Sequence, residues 1–169
     1  STIYVSLEPC AHYGKTPPCA LKIKELGFKK VVIGAMDSHD KVNGKGKKII
    51  QDAGIEVVSG VLEKECVQLN KRFFTFHEKK RPYIILKWVQ SGDGFIDKDC
   101  NPVSISNSLV NQFVHQLRAD EHAILVGTNT ALNDNPTLTV RNVEGENPIR
   151  ILIDFELKVP QDFNIYNQE

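Results

Sequence analysis

Two cysteines near the start of the chain are the residues best suited to do chemistry. Cys10 and Cys19 lie in the stretch LEPCAHYGKTPPCA, residues 7–20, and each follows a proline. Thiolates bind zinc in tetrahedral geometry, and a catalytic zinc takes three protein ligands and keeps one position for water. Cys19 follows Pro17 and Pro18, which favour a helix start, and a helix N-terminus favours thiolate. The pair therefore predicts part of a zinc site, although two buried thiols would be equally consistent with it.

The spacing of the cysteines differs from the usual pattern of zinc-dependent nucleobase deaminases. Those enzymes carry His-x-Glu and Pro-Cys-x-x-Cys, in which the histidine and both cysteines hold zinc and the glutamate moves protons. Pro9 and Cys10 match the second pattern, but Cys19 comes nine positions later instead of three. No His-x-Glu occurs in the sequence. Glu8 belongs to the end of a predicted strand, and we do not assign it the proton-transfer role.

Composition restricts the class of protein. The hydrophobic fraction of 41% and the charged fraction of 25% are typical of a soluble globular protein. The 21 Lys and Arg residues balance the 21 Asp and Glu residues, so charge predicts neither a nucleic-acid nor a membrane partner. No apolar stretch reaches the roughly 18 residues of a membrane span. We do not expect the opening stretch STIYVSLEPC to be a signal peptide, because it has neither a positively charged nor a long apolar region. We therefore expect a cytoplasmic protein, whose reduced cysteines favour metal binding or catalysis over disulfides.

Alternating strands and helices must position the cysteines. Apolar β-branched runs predict three strands, and apolar periodicity predicts three helices between and after them: strands at 2–7, 30–34 and 55–58, helices at 20–26, 44–53 and 62–76. Such alternation is typical of βαβ units with a mostly parallel sheet. The charged stretch 77–82 ends in proline and predicts a linker. Because the chain opens inside a strand-like run, we expect a fragment of a longer protein.

A second α/β unit follows the linker. Its predicted strands are 83–90, 122–127 and 149–154, and its predicted helix is 107–119 with Ser106 or Asn107 as the N-cap. A turn is predicted at residues 92–94, and a loop is predicted after Gly127.

The first unit resembles a known enzyme family. The stretch TIYVSLEPCAHYGKTPPCA resembles the deaminase half of the bifunctional riboflavin-biosynthesis deaminase–reductase family, and MDSHDKVNGKG and QLNKRF are similar to further segments of it. The resemblance implies that Cys10 and Cys19 are zinc ligands and that His12 and Lys15 line the substrate pocket. By themselves, His12 and Lys15 would be a loop histidine and a solvated charge. The family's His-Ala-Glu segment is expected upstream, so this chain alone is expected to be inactive.

The second unit resembles the reductase half of the same family. The stretches PYIILKWVQSGDGFID and VGTNTALNDNPTLTVR carry this resemblance. It implies a set of substrate-binding residues, namely Lys87, Arg118, Leu138 and Arg141. It also implies a set of residues that bind the NADPH cofactor, namely Val89, Ser106, Thr130 and Asp134. Without the resemblance, the two arginines would be surface charges, and the lysine would extend its charged end from a strand edge into water.

Two positions of the second unit depart from the family pattern. Ser104 stands where the family has a cofactor-side tryptophan, and Pro102 stands where a substrate-side serine is common. The resemblance therefore does not extend to these two positions.

The resemblance implies both a fold and a function. Residues 1–78 are expected to be part of a cytidine-deaminase-like three-layer α/β/α domain, residues 79–82 a linker, and residues 83–169 the start of a dihydrofolate-reductase-like α/β domain. The implied reactions are zinc-dependent hydrolytic deamination of 2,5-diamino-6-ribosylamino-4(3H)-pyrimidinone 5′-phosphate and NADPH-dependent reduction of 5-amino-6-(5-phosphoribosylamino)uracil. The expected partner is a small-molecule phosphoribosylamino-pyrimidine substrate. No nucleic-acid or membrane partner is expected, and a homo-oligomer is compatible with the sequence.

Two alternative functions remain from the residues alone. One is another zinc deaminase, of tRNA or cytidine, fused to an unrelated domain, although the Cys-x-x-Cys spacing of such enzymes is absent. The other is a non-enzymatic zinc-binding module, which would need four protein ligands. Cys66 in a predicted helix and Cys100 in a predicted turn do not supply a second pair.

Overall fold

The computed structural model describes residues 1–98 and 103–167. The chain consists of two compact units, Ser1–Ile85 and Leu86–Glu169. Each unit combines helices with parallel strands, so the predicted α/β class is confirmed. Among the described residues, no helix is long and apolar enough to cross a membrane.

Three parallel strands form the sheet of the first unit. β1 (Thr2–Leu7) pairs with β2 (Lys30–Ala35), and β2 pairs with β3 (Glu56–Ser59). In β2, the consecutive residues Val31 and Val32 are both buried. A strand with both faces covered has this pattern, because side chains on alternate sides then meet apolar neighbours.

Four helices accompany this sheet: α1 (Cys19–Glu25), α2 (Lys45–Asp52), α3 (Glu63–Leu69) and α4 (Lys71–Lys79). The core of the unit is apolar and joins the first two helices to the central strand through Ala20, Ile23, Val31, Ile33 and Ile50.

The predicted helix 62–76 is in fact two helices that meet at Asn70. The side-chain amide of Asn70 donates to the carbonyl of Cys66 at 2.8 Å. The backbone N–H of Asn70 donates to the same carbonyl at 3.1 Å, and the backbone of Asn70 leaves helical geometry with φ −98° and ψ 21°. α4 then continues to Lys79, so residues 77–79 of the predicted linker are helical. Its last turn carries His77 and Lys79, which suit a helix C-terminus.

The second unit contains α5 (Ser108–Asp120), β4 (Ala123–Gly127), α6 (Thr128–Asp134), β5 (Ile149–Ile153) and a short 3₁₀ helix (Asn164–Tyr166). β4 and β5 are parallel neighbours. Asn107 is the N-cap of α5, as predicted, because its side-chain oxygen accepts the N–H of Val110 at 2.9 Å.

Two expectations for the second unit are wrong. Residues 83–90 do not form a strand, because no strand pairs with them within the described ranges, and Leu86 and Trp88 are exposed. The loop predicted after Gly127 is instead helix α6. This helix forms because Ala131, at its centre, is fully buried in the core of the unit.

The β4–β5 sheet has one covered and one exposed face. On the covered face, Ile124, Val126 and Leu152 pack against a core of buried apolar residues, namely Ala131, Leu138, Val159 and Ile165. The opposite face shows apolar side chains to solvent, namely Leu125, Ile149, Ile151 and Ile153.

Candidate functional site

The two cysteines of the first unit lie side by side at the start of α1. The backbone N–H of Cys19 donates to the sulfur of Cys10 at 3.2 Å, and the N–H of Ala20 donates to the carbonyl of Cys10 at 3.2 Å. These bonds close the loop between β1 and α1. The pKa of the Cys19 thiol is raised by its hydrogen bond to the Cys10 side chain, then by burial and by the charge of Cys10. Two neighbouring thiolates repel each other, and a cation between them relieves this repulsion.

Cys10 and Cys19 have the donor chemistry for half of a tetrahedral zinc site. No group of three or more His, Cys, Asp or Glu residues in the described part of the chain is arranged to hold a metal ion. The two thiols therefore fit zinc, but they do not complete its coordination.

A cavity of about 400 Å³ opens beside Cys10, and its lining joins β1, the segment after β2, and α4. Its lining residues are Leu7, Glu8, Cys10, His12, Asp37, His39, Lys41, Val42, Phe73 and His77. The structure thus places His12 in the lining of this cavity, whereas Lys15 is exposed and is not part of this lining.

Two histidines of this cavity are absent from the sequence prediction. The ring of His39 stacks with that of His12 at 6.3 Å between centroids and meets the edge of His77 at 4.4 Å. His77 also contacts Phe73, with 4.4 Å between the ring centroids. No motif joins His39 to His77 in the sequence, so only the contact between α4 and the segment after β2 reveals them.

The segment that carries His39 is fixed by hydrogen bonds. The buried carboxylate of Asp37 accepts the N–H of His39 at 2.7 Å, and the Nδ1 atom of His39 accepts the N–H of Lys41 at 3.1 Å. In a neutral imidazole ring, the proton is then on Nε2. His39 therefore offers a single N–H donor from this ring orientation.

Glu8 lies on the cavity wall but is fully engaged by the backbone. It is 3% exposed, and its carboxylate accepts the N–H groups of Asp37, Gly44 and Lys47 at 3.4, 2.9 and 2.9 Å. These donors belong to the first turn of α2 and the segment before it. Glu8 thus caps this helix, which agrees with leaving it out of the proton-transfer role.

A second cavity, of about 200 Å³, lies in the second unit. It is lined by Lys87, Val89, Ile96, Val103, Ser104, Ile105, Ser106 and Asn111. Three predicted site residues, Lys87, Val89 and Ser106, therefore share one cavity with Ser104, the position that departs from the family pattern. Pro102 lies outside the described residues.

The two predicted arginines of the second unit lie close together. A guanidinium nitrogen of Arg118 donates to the carbonyl of Thr139 at 2.5 Å, and the guanidinium of Arg141 donates to the hydroxyl of Thr137. The pKa of Arg118 is lowered by burial and by the charge of Arg141. Within the described residues, neither guanidinium forms an ion pair with a carboxylate. Uncompensated positive charge of this kind suits an anion.

The other predicted residues of the second unit are placed differently from one another. Thr130 and Asp134 are exposed on α6. The side chain of Leu138 is buried in the core, and its backbone has a left-handed φ of 56°. The buried side chain of Leu138 is therefore not available to a ligand.

Comparison with known proteins decides the family. The family described as RibD C-terminal domain matches residues 82–169. The chain belongs to the RibD family. The riboflavin biosynthesis protein RibD of Aquifex aeolicus is 43% identical over 171 residues, an alignment that covers 100% of this chain and 48% of the relative. RibD of Actinobacillus pleuropneumoniae is 41% identical and covers 96% of this chain and 43% of that protein. The similarity to RibD proteins thus extends across residues 1–81, beyond the matched domain.

Solved RibD structures give the same result for the fold. The diaminohydroxyphosphoribosylaminopyrimidine deaminase/5-amino-6-(5-phosphoribosylamino)uracil reductase of Thermotoga maritima superposes with a TM-score of 0.91 at 40% identity, covering 99% of this chain and 48% of that one. RibD of Acinetobacter baumannii superposes with a TM-score of 0.88 at 36% identity, covering 97% and 48%. The chain spans about half the length of these RibD relatives.

Proposed function

We propose that residues 82–169 contribute to the NADPH-dependent reduction of 5-amino-6-(5-phosphoribosylamino)uracil in riboflavin biosynthesis. The observation that carries this proposal is the pair Arg118 and Arg141, inside the matched reductase domain, with no carboxylate partner in the described residues. A planar guanidinium donates two parallel hydrogen bonds to a phosphate, so the pair suits the 5-phosphate of the substrate.

The remaining substrate contacts follow from the placement of each residue. Lys87 faces the 200 Å³ cavity and can donate to polar groups of the substrate. Leu138 would contact the substrate through its backbone, because its side chain is buried. The cofactor contacts that we propose are Val89 and Ser106 in the cavity, and Thr130 and Asp134 on α6. When bound, NADPH supplies the hydride that reduces the open-chain sugar carbon, while the protein orients the two reactants.

We further propose that the first unit is the deaminase-like part of a RibD protein, with a cytidine-deaminase-like fold. Cys10 and Cys19 would hold zinc, and His12 would line the pyrimidine pocket, with Lys15 at its exposed edge. When bound, zinc supplies a water molecule of lowered pKa. The third ligand and the proton-transferring carboxylate would come from residues other than those described. A structural zinc module is less well supported, because it needs four protein ligands.

The reductase proposal is tested by comparing phosphorylated and dephosphorylated substrate in the full-length protein. We expect wild type to prefer the phosphorylated form in kcat/KM, and Arg141→Ala to lose about tenfold on that form, the scale of one charge-assisted hydrogen bond. The dephosphorylated form should be affected much less. Arg81→Ala, a change at an exposed arginine of the first unit, is the matched control. Equal kcat/KM of wild type for both substrates would contradict the proposal.

A further inference from the structure

We propose that His115 is a positioning residue that holds Arg141 and Arg118 in place for the phosphate of the substrate. The inference rests on the proposed phosphate-binding role of the two arginines, and it assigns a function to a histidine outside every motif described above.

The contacts of α5 place His115 at the base of this site. The N–H of Arg141 donates to Nδ1 of His115 at 3.2 Å, and the guanidinium of Arg118 donates to the carbonyl of Thr139 at 2.5 Å. Residues 115, 118 and 119 lie on one face of a helix, at spacings of three and four. This face of α5 therefore contacts the loop after α6 through His115 and Arg118.

The same face of α5 also comes close to the loop at Ala119, which lies next to the backbone of Gly145. A Cβ atom on Gly145 would lie 2.6 Å from the Cβ of Ala119, and the φ of Gly145 is 152°. Only glycine allows the loop to reach the helix there. Near Arg141, the N–H of Val140 also donates to the side chain of Asn147 at 2.8 Å. The backbone of the loop is thus held on both sides of residue 141.

The chemistry of His115 matches this position. Its side chain is 6% exposed, and its pKa is lowered by burial, then by the charges of Arg118 and Arg141. A neutral imidazole accepts a hydrogen bond without adding a third positive charge to the pair. A leucine would leave the N–H of Arg141 without a partner, and a lysine would repel both guanidinium groups.

These contacts fix the backbone of Arg141 and the guanidinium of Arg118 before a ligand binds. Arg141 is also held by the hydroxyl of Thr137. In the part of the chain that the structure describes, the buried Nε atom of Arg118 has no hydrogen-bond partner. Donors that are already fixed lose less conformational entropy when a ligand binds. Loss of the His115 hydrogen bond should therefore weaken the affinity for the substrate.

Three variants of the full-length protein test the role of His115. In His115→Asn, the side-chain oxygen occupies the bonded position of Nδ1, so the acceptor for Arg141 is kept. In His115→Gln, the acceptor is one bond farther from the backbone, and in His115→Leu it is absent. We expect KM for the phosphorylated substrate to stay within about twofold for Asn and to rise about tenfold for Gln and Leu. The kcat should change little.

The outcomes separate this inference from the proposed function. If wild type does not prefer the phosphorylated substrate, the phosphate-binding role itself fails. If wild type prefers it but His115→Asn raises KM as much as His115→Gln, the positioning role is overturned. A fall in melting temperature without a change in KM would also overturn it, since that result describes a purely structural histidine. If His115→Leu does not fold, the Asn and Gln variants still decide.

Discussion

The carboxylate of Glu8 accepts the backbone N–H of Lys47 at 2.9 Å, across 39 residues of sequence. The same carboxylate accepts the N–H of Gly44 at 2.9 Å. One buried side chain at the end of β1 therefore fixes the start of α2, and with it the segment that brings His39 to the cavity.

Removal of this carboxylate should destabilise the first unit. We expect Glu8→Ala to lower the free energy of unfolding by about 3 kcal/mol, because buried backbone donors lose their acceptor. Urea denaturation of the full-length protein measures the change. Glu25→Ala is the matched control, since Glu25 is exposed and forms a surface ion pair with Lys22 at 3.3 Å. Its loss should change stability by less than about 0.5 kcal/mol. Similar stability of the two variants would contradict the capping role.

A methyl group at residue 46 should not fit. A Cβ on Gly46 would lie 1.8 Å from the carbonyl oxygen of Pro9. We expect Gly46→Ala to lower the free energy of unfolding by at least about 2 kcal/mol, because backbone must move away from backbone. Gly14→Ala is the control, because no heavy atom lies within 4 Å of a Cβ there. Thermal unfolding that is unchanged in Gly46→Ala would show that α2 does not pack on Pro9 in this way.

The two loop cysteines should hold zinc in the full-length protein. We expect Cys10→Ser and Cys19→Ser each to reduce the zinc content measured by mass spectrometry and to abolish deamination, because each removes one thiolate ligand. Cys66→Ser, at a free cysteine on α3, should keep full zinc content. The proposal fails if the double variant at residues 10 and 19 binds one zinc per chain.

Acid should weaken the second unit through Asp154. The pKa of this carboxylate is lowered by the N–H of Val159, which donates at 2.8 Å, and by the hydroxyl of Thr128, which donates at 2.9 Å. A lowered pKa means that the folded state favours the ionised form. Its contribution to stability is therefore present above the unfolded pKa, near 3.8, and is lost as pH falls through the folded pKa.

The measurement compares wild type with Asp154→Asn in urea at about pH 5 and at about pH 3. The stability difference between the two proteins should shrink at the lower pH. Glu156→Gln is the control, because Glu156 forms an exposed ion pair with Lys158. A difference that stays constant with pH would show that the ionised form of Asp154 is not favoured by folding.

Local sequence signals predicted most of the elements but not all of their ends. The strands β1, β2 and β3 follow from β-branched runs, whose burial is visible in the sequence. Helix α6 was missed because TNTALND has the composition of a turn, with Thr, Asn and Asp that bond to the backbone locally. Burial of Ala131 overrides that preference, and burial depends on the folded unit.

Some residues of the candidate sites could be predicted from the sequence, whereas others come together only in the fold. Cys10 and Cys19 could be found because both are held by one short loop. His39 and His77 meet only through the packing of separate elements, and Glu8 finds its donors far along the chain. Arg118 and Arg141 were predicted by resemblance, whereas His115, which joins their supports, had no local signal that distinguished it from a core residue.

The exposed face of the β4–β5 sheet affects how a shortened protein would behave in solution. Ile149, Ile151 and Ile153 stand in a row beside Leu125, and 40% or more of each is exposed. Within the described residues, each of the two strands also has an edge that pairs with no other strand. An apolar face with open strand edges promotes strand-to-strand aggregation and binding by chaperones. Residues 86–169, purified without a protein that covers this face, should therefore stay in solution best at low temperature and low protein concentration. Hydrophobic association weakens on cooling.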